Sequence, residues 1–132
     1  MNITVISVGK IKEKYFTAAI DEYSKRLSRF AKLNIIEVAD EKIPDNASEK
    51  EMEQIKEKEG NKILAKLPQN SFVVTLCIEG KEHSSEELAK KIADISMTSS
   101  HITFIIGGSL GLSDTVKSKS VLRLSFGKMT LP

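Results

Sequence analysis

Two stretches of this chain, FVVTLCI at residues 72–78 and ITFII at residues 102–106, are almost unbroken runs of apolar and β-branched side chains. A strand with one face in water alternates apolar and polar residues. Continuous runs of this length therefore belong to strands buried on both faces, as in a parallel sheet covered by helices. Strands are also predicted at 3–8, 34–38 and 121–126, where β-branched residues cluster. Parallel neighbours cannot be joined by a tight turn, so the segments between them must supply crossover helices.

Those helices are legible. Tyr15, Phe16, Ala19, Ile20, Tyr23, Leu27 and Phe30 recur at three- and four-residue steps and draw one apolar stripe for the sheet. A second helix is predicted from Ser48 to Lys66, opened by a capping box in which Glu51 follows Ser48 by three residues. Its apolar positions are Met52, Ile55, Ile63, Leu64 and Leu67. Between Lys56 and Lys62 it has no apolar residue and contains Gly60, so its middle turns are expected in water or at a joint. The acids of 49–59 alternate with lysines and read as a solvated face with i,i+4 pairs. Ser84 and Glu87 form another capping box before Leu88, Ile92 and Ile95, and Ser113 caps a short helix with Val116 inward. The order β-α-β-α-β-α-β-α-β gives an α/β fold: a mostly parallel sheet with helices on both faces.

At 132 residues the chain can bury about two-thirds of its unfolded surface around one core, so residues 1–132 are expected to form a single domain. The polar connection 40–51 reads as a mobile loop within it. The net charge of +2, from 20 basic and 18 acidic residues, does not announce a nucleic-acid binder. Its distribution is less even. Between residues 10 and 32, Lys10, Lys12, Lys14, Lys25, Arg26, Arg29 and Lys32 stand against three acids, and Lys117, Lys119, Arg123 and Lys128 follow Val116 without an acid among them. Two basic patches meeting on one face are one reading of this. The lone cysteine, Cys77, excludes an internal disulfide and fits a reducing compartment. No leader pattern or membrane-length apolar run is present, so the cytoplasm is the expected location, with no membrane partner.

In open α/β sheets ligands sit beyond the carboxyl ends of the strands. Three loops stand out there: LCIEG from Leu76, IIGGSLGLSD around Gly107 and Gly108, and the terminal FGKMTLP. The paired glycines let main chain approach a ligand closely, although they match neither a dinucleotide fingerprint nor a phosphate loop. His83 and His101 lack partners at metal-ligand spacing and read as exposed loop residues, so no metal site is expected. Cys77 reads as a packed small hydrophobe rather than a nucleophile, and Phe126 and Met129 as core or ligand pocket, core being the ordinary answer for apolar residues near a strand end. These patterns yield a crevice and no reaction.

The ordered set ITVISVGKIKEKYF, EKEGNKILAKL, VVTLCIEGKEHSSEELA, FIIGGSLGLSD and LSFGKMTLP resembles, over the whole chain, the RlmH family of SPOUT-class methyltransferases. The resemblance implies a SPOUT-like fold of the trefoil-knot class. It also implies S-adenosylmethionine as cofactor, N3 of a pseudouridine in 23S ribosomal RNA of the assembled ribosome as target, and a homodimer. The cofactor-binding positions carried over are Leu76, Gly107, Phe126, Gly127, Lys128, Met129, Thr130 and Leu131. No residue here matches a catalytic proton acceptor. The family continues past TLP into a knot-forming C-terminal helix that this chain, ending at Pro132, lacks. The expectation is therefore an incomplete subunit interface and weak cofactor binding, and the alternative is a shortened, inactive domain that serves as a binding module.

Overall fold

In the computed structural model, which describes all of residues 1–132, the elements follow the predicted order. They are β1 (Asn2–Val8), α1 (Lys14–Leu27), β2 (Lys32–Val38), α2 (Glu49–Lys66), β3 (Phe72–Glu82), α3 (Ser85–Ser96), β4 (His101–Ile106), α4 (Asp114–Ser118) and β5 (Leu122–Ser125). The strands form one sheet in the order β2-β1-β4-β3-β5, with every neighbouring pair parallel. Right-handed crossovers fix where the helices go. The steps β1 to β2 and β3 to β4 run one way along the sheet, so α1 and α3 share a face. The steps β2 to β3 and β4 to β5 run the other way and put α2 and α4 opposite.

The core accordingly has two halves. On the α2/α4 side Ile6, Val38, Val73 and Ile105 pack with Ile63, Leu112 and Val116. On the α3 side Val74, Ile102 and Leu124 pack with Ile95, flanked by Leu88 and Ile92. Each isoleucine fully removed from water here contributes about 1.5–3 kcal/mol. Both capping boxes form. Ser48 and Glu51 exchange hydrogen bonds of 3.1 and 3.2 Å, and Ser84 and Glu87 do the same at 3.0 and 3.1 Å. The Ser84 N–H donated to Glu87 holds that carboxyl below its usual range. Ser113 caps α4, its hydroxyl accepting from the Val116 N–H, and Val116 is buried as expected.

Several expectations change. The stripe on α1 is not core: no residue of this helix is buried, and Tyr15, Tyr23 and Phe30 are 69%, 63% and 77% exposed. The helix flanks β2 at the sheet edge, where there is little surface to cover it. The middle of α2 does lie at a joint, because Glu59 and Gly60 are buried between Ile55 and Ile63, where the helix meets α4. Glu59 thus departs from the solvated face expected of 49–59. Loop 40–51 is tethered near its start, where the Glu41 N–H donates to Glu59 Oε2 at 2.9 Å and Lys62 bridges to Glu41 Oε1 at 3.0 Å. His101 is no loop residue. It opens β4, half-buried, with Nε2 2.7 Å from the Thr4 hydroxyl.

Gly60 is required by this joint. A Cβ there would stand 2.6 Å from Ser113 Oγ and 3.1 Å from Val116 Cγ2, so alanine would displace the α4 cap. The Gly60→Ala protein is expected to lose about 1–3 kcal/mol from overpacking, despite alanine's helix preference of about 1 kcal/mol. Urea denaturation would read the difference, and a gain in stability would contradict the packing described.

Candidate active site

Ile106, Leu76 and Leu124 lie side by side in the register of β4, β3 and β5. The loops that follow these strands therefore leave one rim of the sheet from adjacent positions, and the three segments singled out in the sequence are neighbours. Leu76 is half-buried against the α3 half of the core. Gly107 follows directly on β4, and a Cβ there would stand 2.9 Å from the Gly111 carbonyl carbon and 3.0 Å from the Leu112 side chain. The close approach needs glycine. The loop then turns back on itself, the Gly111 N–H donating to the Gly108 carbonyl at 3.0 Å.

Strand β3 extends beyond its predicted end at Ile78. Cys77, Ile78, Glu79 and Gly80 bulge outward, and Lys81 returns to pair with the same Leu124 that faces Leu76. This return brings Gly80 onto the β5 backbone, where a Cβ would lie 2.8 Å from the Arg123 carbonyl. Ser125 then stitches the bulge to the last loop. Its buried hydroxyl accepts from the Gly127 N–H at 3.1 Å and donates to the Ile78 carbonyl at 3.1 Å. Gly127 has φ +112° with open space around its Cα. Phe126 and Met129, expected in the core, are 66% and 79% exposed. Lys128, Thr130 and Leu131 are exposed as well. Cys77 is half-buried, at the start of the stretch of β3 that loses its pairing with β5.

A second feature lies further along the same rim. The connections from β1 and β4 diverge in opposite directions, and beyond these strand ends is a cleft of about 380 Å³ lined by Val8, Gly9, residues 40–43, Glu59, Gly108 and Ser109. Sequence reasoning passed over Glu59 as one more acid in a charged helix. The available signal was its position four residues from both Ile55 and Ile63, in an apolar stripe. A more open hollow of about 530 Å³ between α1 and β2 is at the sheet edge, away from the loops.

The basic residues do not form one patch. Those on α1 sit at the β2 edge of the sheet, whereas Lys117 and Arg123 belong to the β5 edge, as the strand order requires. Lys117 is engaged: it hydrogen-bonds Glu79 in the bulge, and that bond, with the Glu79 backbone hydrogen bond and the Lys117 and Arg123 charges, holds the Glu79 carboxyl below its usual range. A carboxyl whose pKa is depressed by folding adds stability above its ordinary range and loses it as pH falls through the depressed value. The pair is half-exposed, so the gain is small. Wild-type protein should lose more thermal stability between about pH 5 and pH 3 than a Glu79→Gln variant. Equal losses would dismiss the pair. Separately, Ser125→Ala should cost about 1 kcal/mol and speed hydrogen exchange at the Gly127 amide. Unchanged exchange would deny the stitch.

No helix is long and apolar enough to cross a membrane, and no group of three or more His, Cys, Asp or Glu is placed to hold a metal ion. The family model described as "Predicted SPOUT methyltransferase" matches residues 1–132. The ribosomal RNA large subunit methyltransferase H of Clostridium botulinum (strain Kyoto / Type A2) is 62% identical over 133 residues, covering 100% of this chain and 84% of the relative. The putative ribosomal RNA large subunit methyltransferase H of Methanococcus maripaludis (strain C5 / ATCC BAA-1333) is also 62% identical, with the same coverage. The Clostridioides difficile (strain 630) ribosomal RNA large subunit methyltransferase H is 58% identical, again over 100% of this chain and 84% of the relative. With an α/β parallel sheet whose carboxyl-end loops converge, and with such likeness along its whole length, the chain belongs to the SPOUT methyltransferases and, within them, to the RlmH family.

Proposed function

We propose that this chain transfers the methyl group of S-adenosylmethionine to N3 of a pseudouridine in large-subunit ribosomal RNA. The observation that carries this reading is the convergence of uncommitted main chain at one rim, in a chain whose relatives are named as ribosomal RNA large subunit methyltransferases. The main-chain N–H and C=O groups of 128–131 make no hydrogen bond inside the chain, and Gly127 adopts a backbone conformation that a side chain would strain. Such bare backbone suits an adenosyl group, whose ring edge is read by N–H and C=O donors and acceptors. The fit supports Leu76 as an apolar wall, Gly107 as a close backbone approach, and Phe126, Gly127, Lys128, Met129, Thr130 and Leu131 as the binding loop.

When bound, S-adenosylmethionine supplies a methyl group on a positively charged sulfur. The chain's own part is to hold the partners in line and exclude water, an alignment effect of roughly 7–11 kcal/mol in favourable cases. Lys10, Lys12, Lys14, Lys25, Arg26, Arg29 and Lys128 are the candidate phosphate contacts. Because α1 and the β5 loop stand at opposite sheet edges, a continuous basic track needs two copies of the chain. The exposed Tyr15, Tyr23, Phe30, Ile35 and Ile106 supply apolar surface for such a homodimer. Ribosomal RNA as substrate puts the protein in the cytoplasm.

The test is methyl incorporation from labelled S-adenosylmethionine into ribosomes lacking the modification, with the product nucleoside identified by mass. Incorporation at N3 of a pseudouridine is expected. Gly127→Ala should weaken cofactor affinity about tenfold by calorimetry, because a side chain at that φ costs roughly 1–2 kcal/mol. No incorporation, or label on another atom, would overturn the assignment.

A further inference from the structure

We infer that the cleft between the ends of β1, β2 and β4 is the pocket for the target base, and that the Glu59 carboxylate is the acceptor of its imide N–H. The inference rests on the reading above and extends it to a residue and a place. Its starting point is a buried carboxylate. Glu59 is 5% exposed, and carboxylates are seldom buried to this degree unless they are paired. Here the pairing is half complete. Oε2 accepts the Glu41 N–H at 2.9 Å, whereas Oε1 has no partner within the chain, and the residue lines the cleft. A Cβ built on Gly108 would come 3.3 Å from Oε1 and 3.2 Å from Val8 Cγ1. Glycine at 108 therefore leaves the free oxygen its place at the cleft wall.

The surroundings select the ligand's chemistry. Three acidic residues, Asp40, Glu41 and Glu59, line the cleft against one basic residue, Lys42, and Lys62 is drawn off to Glu41 and to the Ala39 carbonyl at 3.1 Å. An excess of acceptors repels a phosphate and favours a neutral ligand edge bearing N–H donors. No cluster there is placed for a metal ion. A uracil-type base turned out of its RNA strand presents such an edge, and reading bases by that edge is the usual mode for unpaired RNA. The volume, about 380 Å³, falls within the ~300–1,000 Å³ of small-ligand sites. Gly108 adjoins Gly107, so the cleft borders the proposed cofactor loops.

The contact also gives the departing proton a destination. A ring imide nitrogen must lose its hydrogen to form a bond to carbon. The nitrogen keeps the electron pair of the broken N–H bond, and the proton ends on Glu59 Oε1, leaving a carboxylic acid. A positioned base of this kind contributes typically 10²- to 10⁴-fold in rate.

The test titrates the chain with pseudouridine and with its N3-methyl derivative, following the Gly9, Glu41 and Gly108 amides by NMR. Wild type should shift these amides with pseudouridine and bind the N3-methyl form about tenfold more weakly, the loss expected when a buried acceptor is left unmatched. Glu59→Gln keeps an oxygen for the Glu41 N–H, so an unmoved Glu41 amide in the free variant confirms that the loop stays anchored. The variant should lose the discrimination between the nucleosides and, in single turnover on ribosomes, at least 10²-fold in rate. Shifts absent from the cleft, equal affinity of wild type for both nucleosides, or a variant that still discriminates would overturn the inference. Methyl transfer by wild type together with any of these results would leave the proposed function standing without it. Discrimination at the cleft without methyl transfer would leave the pocket and refute the reaction.

Discussion

The structure depends on one constraint: all neighbouring strands are parallel, and parallel strands must be joined by crossovers that cover the sheet on both faces. With FVVTLCI and ITFII paired in parallel with their neighbours, every connection has to leave the carboxyl end of one strand, cross a face, and re-enter at the amino end of the next. All carboxyl ends then share one rim. Loops far apart in sequence, after Leu76, after Ile106 and after Ser125, become neighbours because their strands are adjacent in the order β4-β3-β5. The same geometry, with connections diverging from β1 and β4, opens the cleft beside Glu59 on that rim. Neither place needed a dedicated element; both follow from the way the sheet is wound.

What the rim offers is mostly main chain. Gly80, Gly107 and Gly108 lie against neighbouring atoms so closely that a Cβ would stand 2.8 to 3.2 Å from them, and Gly127 adopts a φ of +112° that other residues avoid. Ser125 ties the bulge of β3 to the last loop, and Lys117 reaches from α4 to the same bulge through Glu79. A site made this way leaves little trace as a motif. Its information is in the absence of side chains at spaced positions and in the packing that forces the absence, which explains why each glycine taken singly says almost nothing.

The legible part of the fold was the part set by local chemistry. Both capping boxes, the cap at Ser113 and the five strands follow from hydrogen-bonding residues and apolar runs that act within a few positions of themselves. The failures have a common cause, since each concerns a side chain whose surroundings come from elsewhere in the chain. The stripe on α1 has a helical period, but the period cannot say that the helix will flank an edge strand with little to cover it. His101 looked like a loop residue because its partner, Thr4, lies on another strand. Phe126 and Met129 looked like core because apolar residues near strands usually are. At the rim, crevice residues such as Gly107 are visible from their position after a buried strand, whereas the sequence marks Glu59 only by its place in the Ile55–Ile63 stripe, and its half-met hydrogen bonding needs the Glu41 N–H brought from loop 40–51.

Glu59 also shows why stability does not account for this helix. At its place between Ile55 and Ile63 an aliphatic side chain would extend the apolar stripe, and breaking or half-satisfying a buried charge is among the costlier things a core can do. The neighbourhood answers only part of that cost. The Glu41 N–H satisfies one oxygen, while Lys62, three residues on in the same helix, turns to Glu41 and Ala39 instead. A stabilising design would have aimed that lysine at Glu59 or removed the acid. Leaving one oxygen open toward a cleft, beside a glycine that gives it room, is the arrangement expected where local consistency has yielded to a ligand.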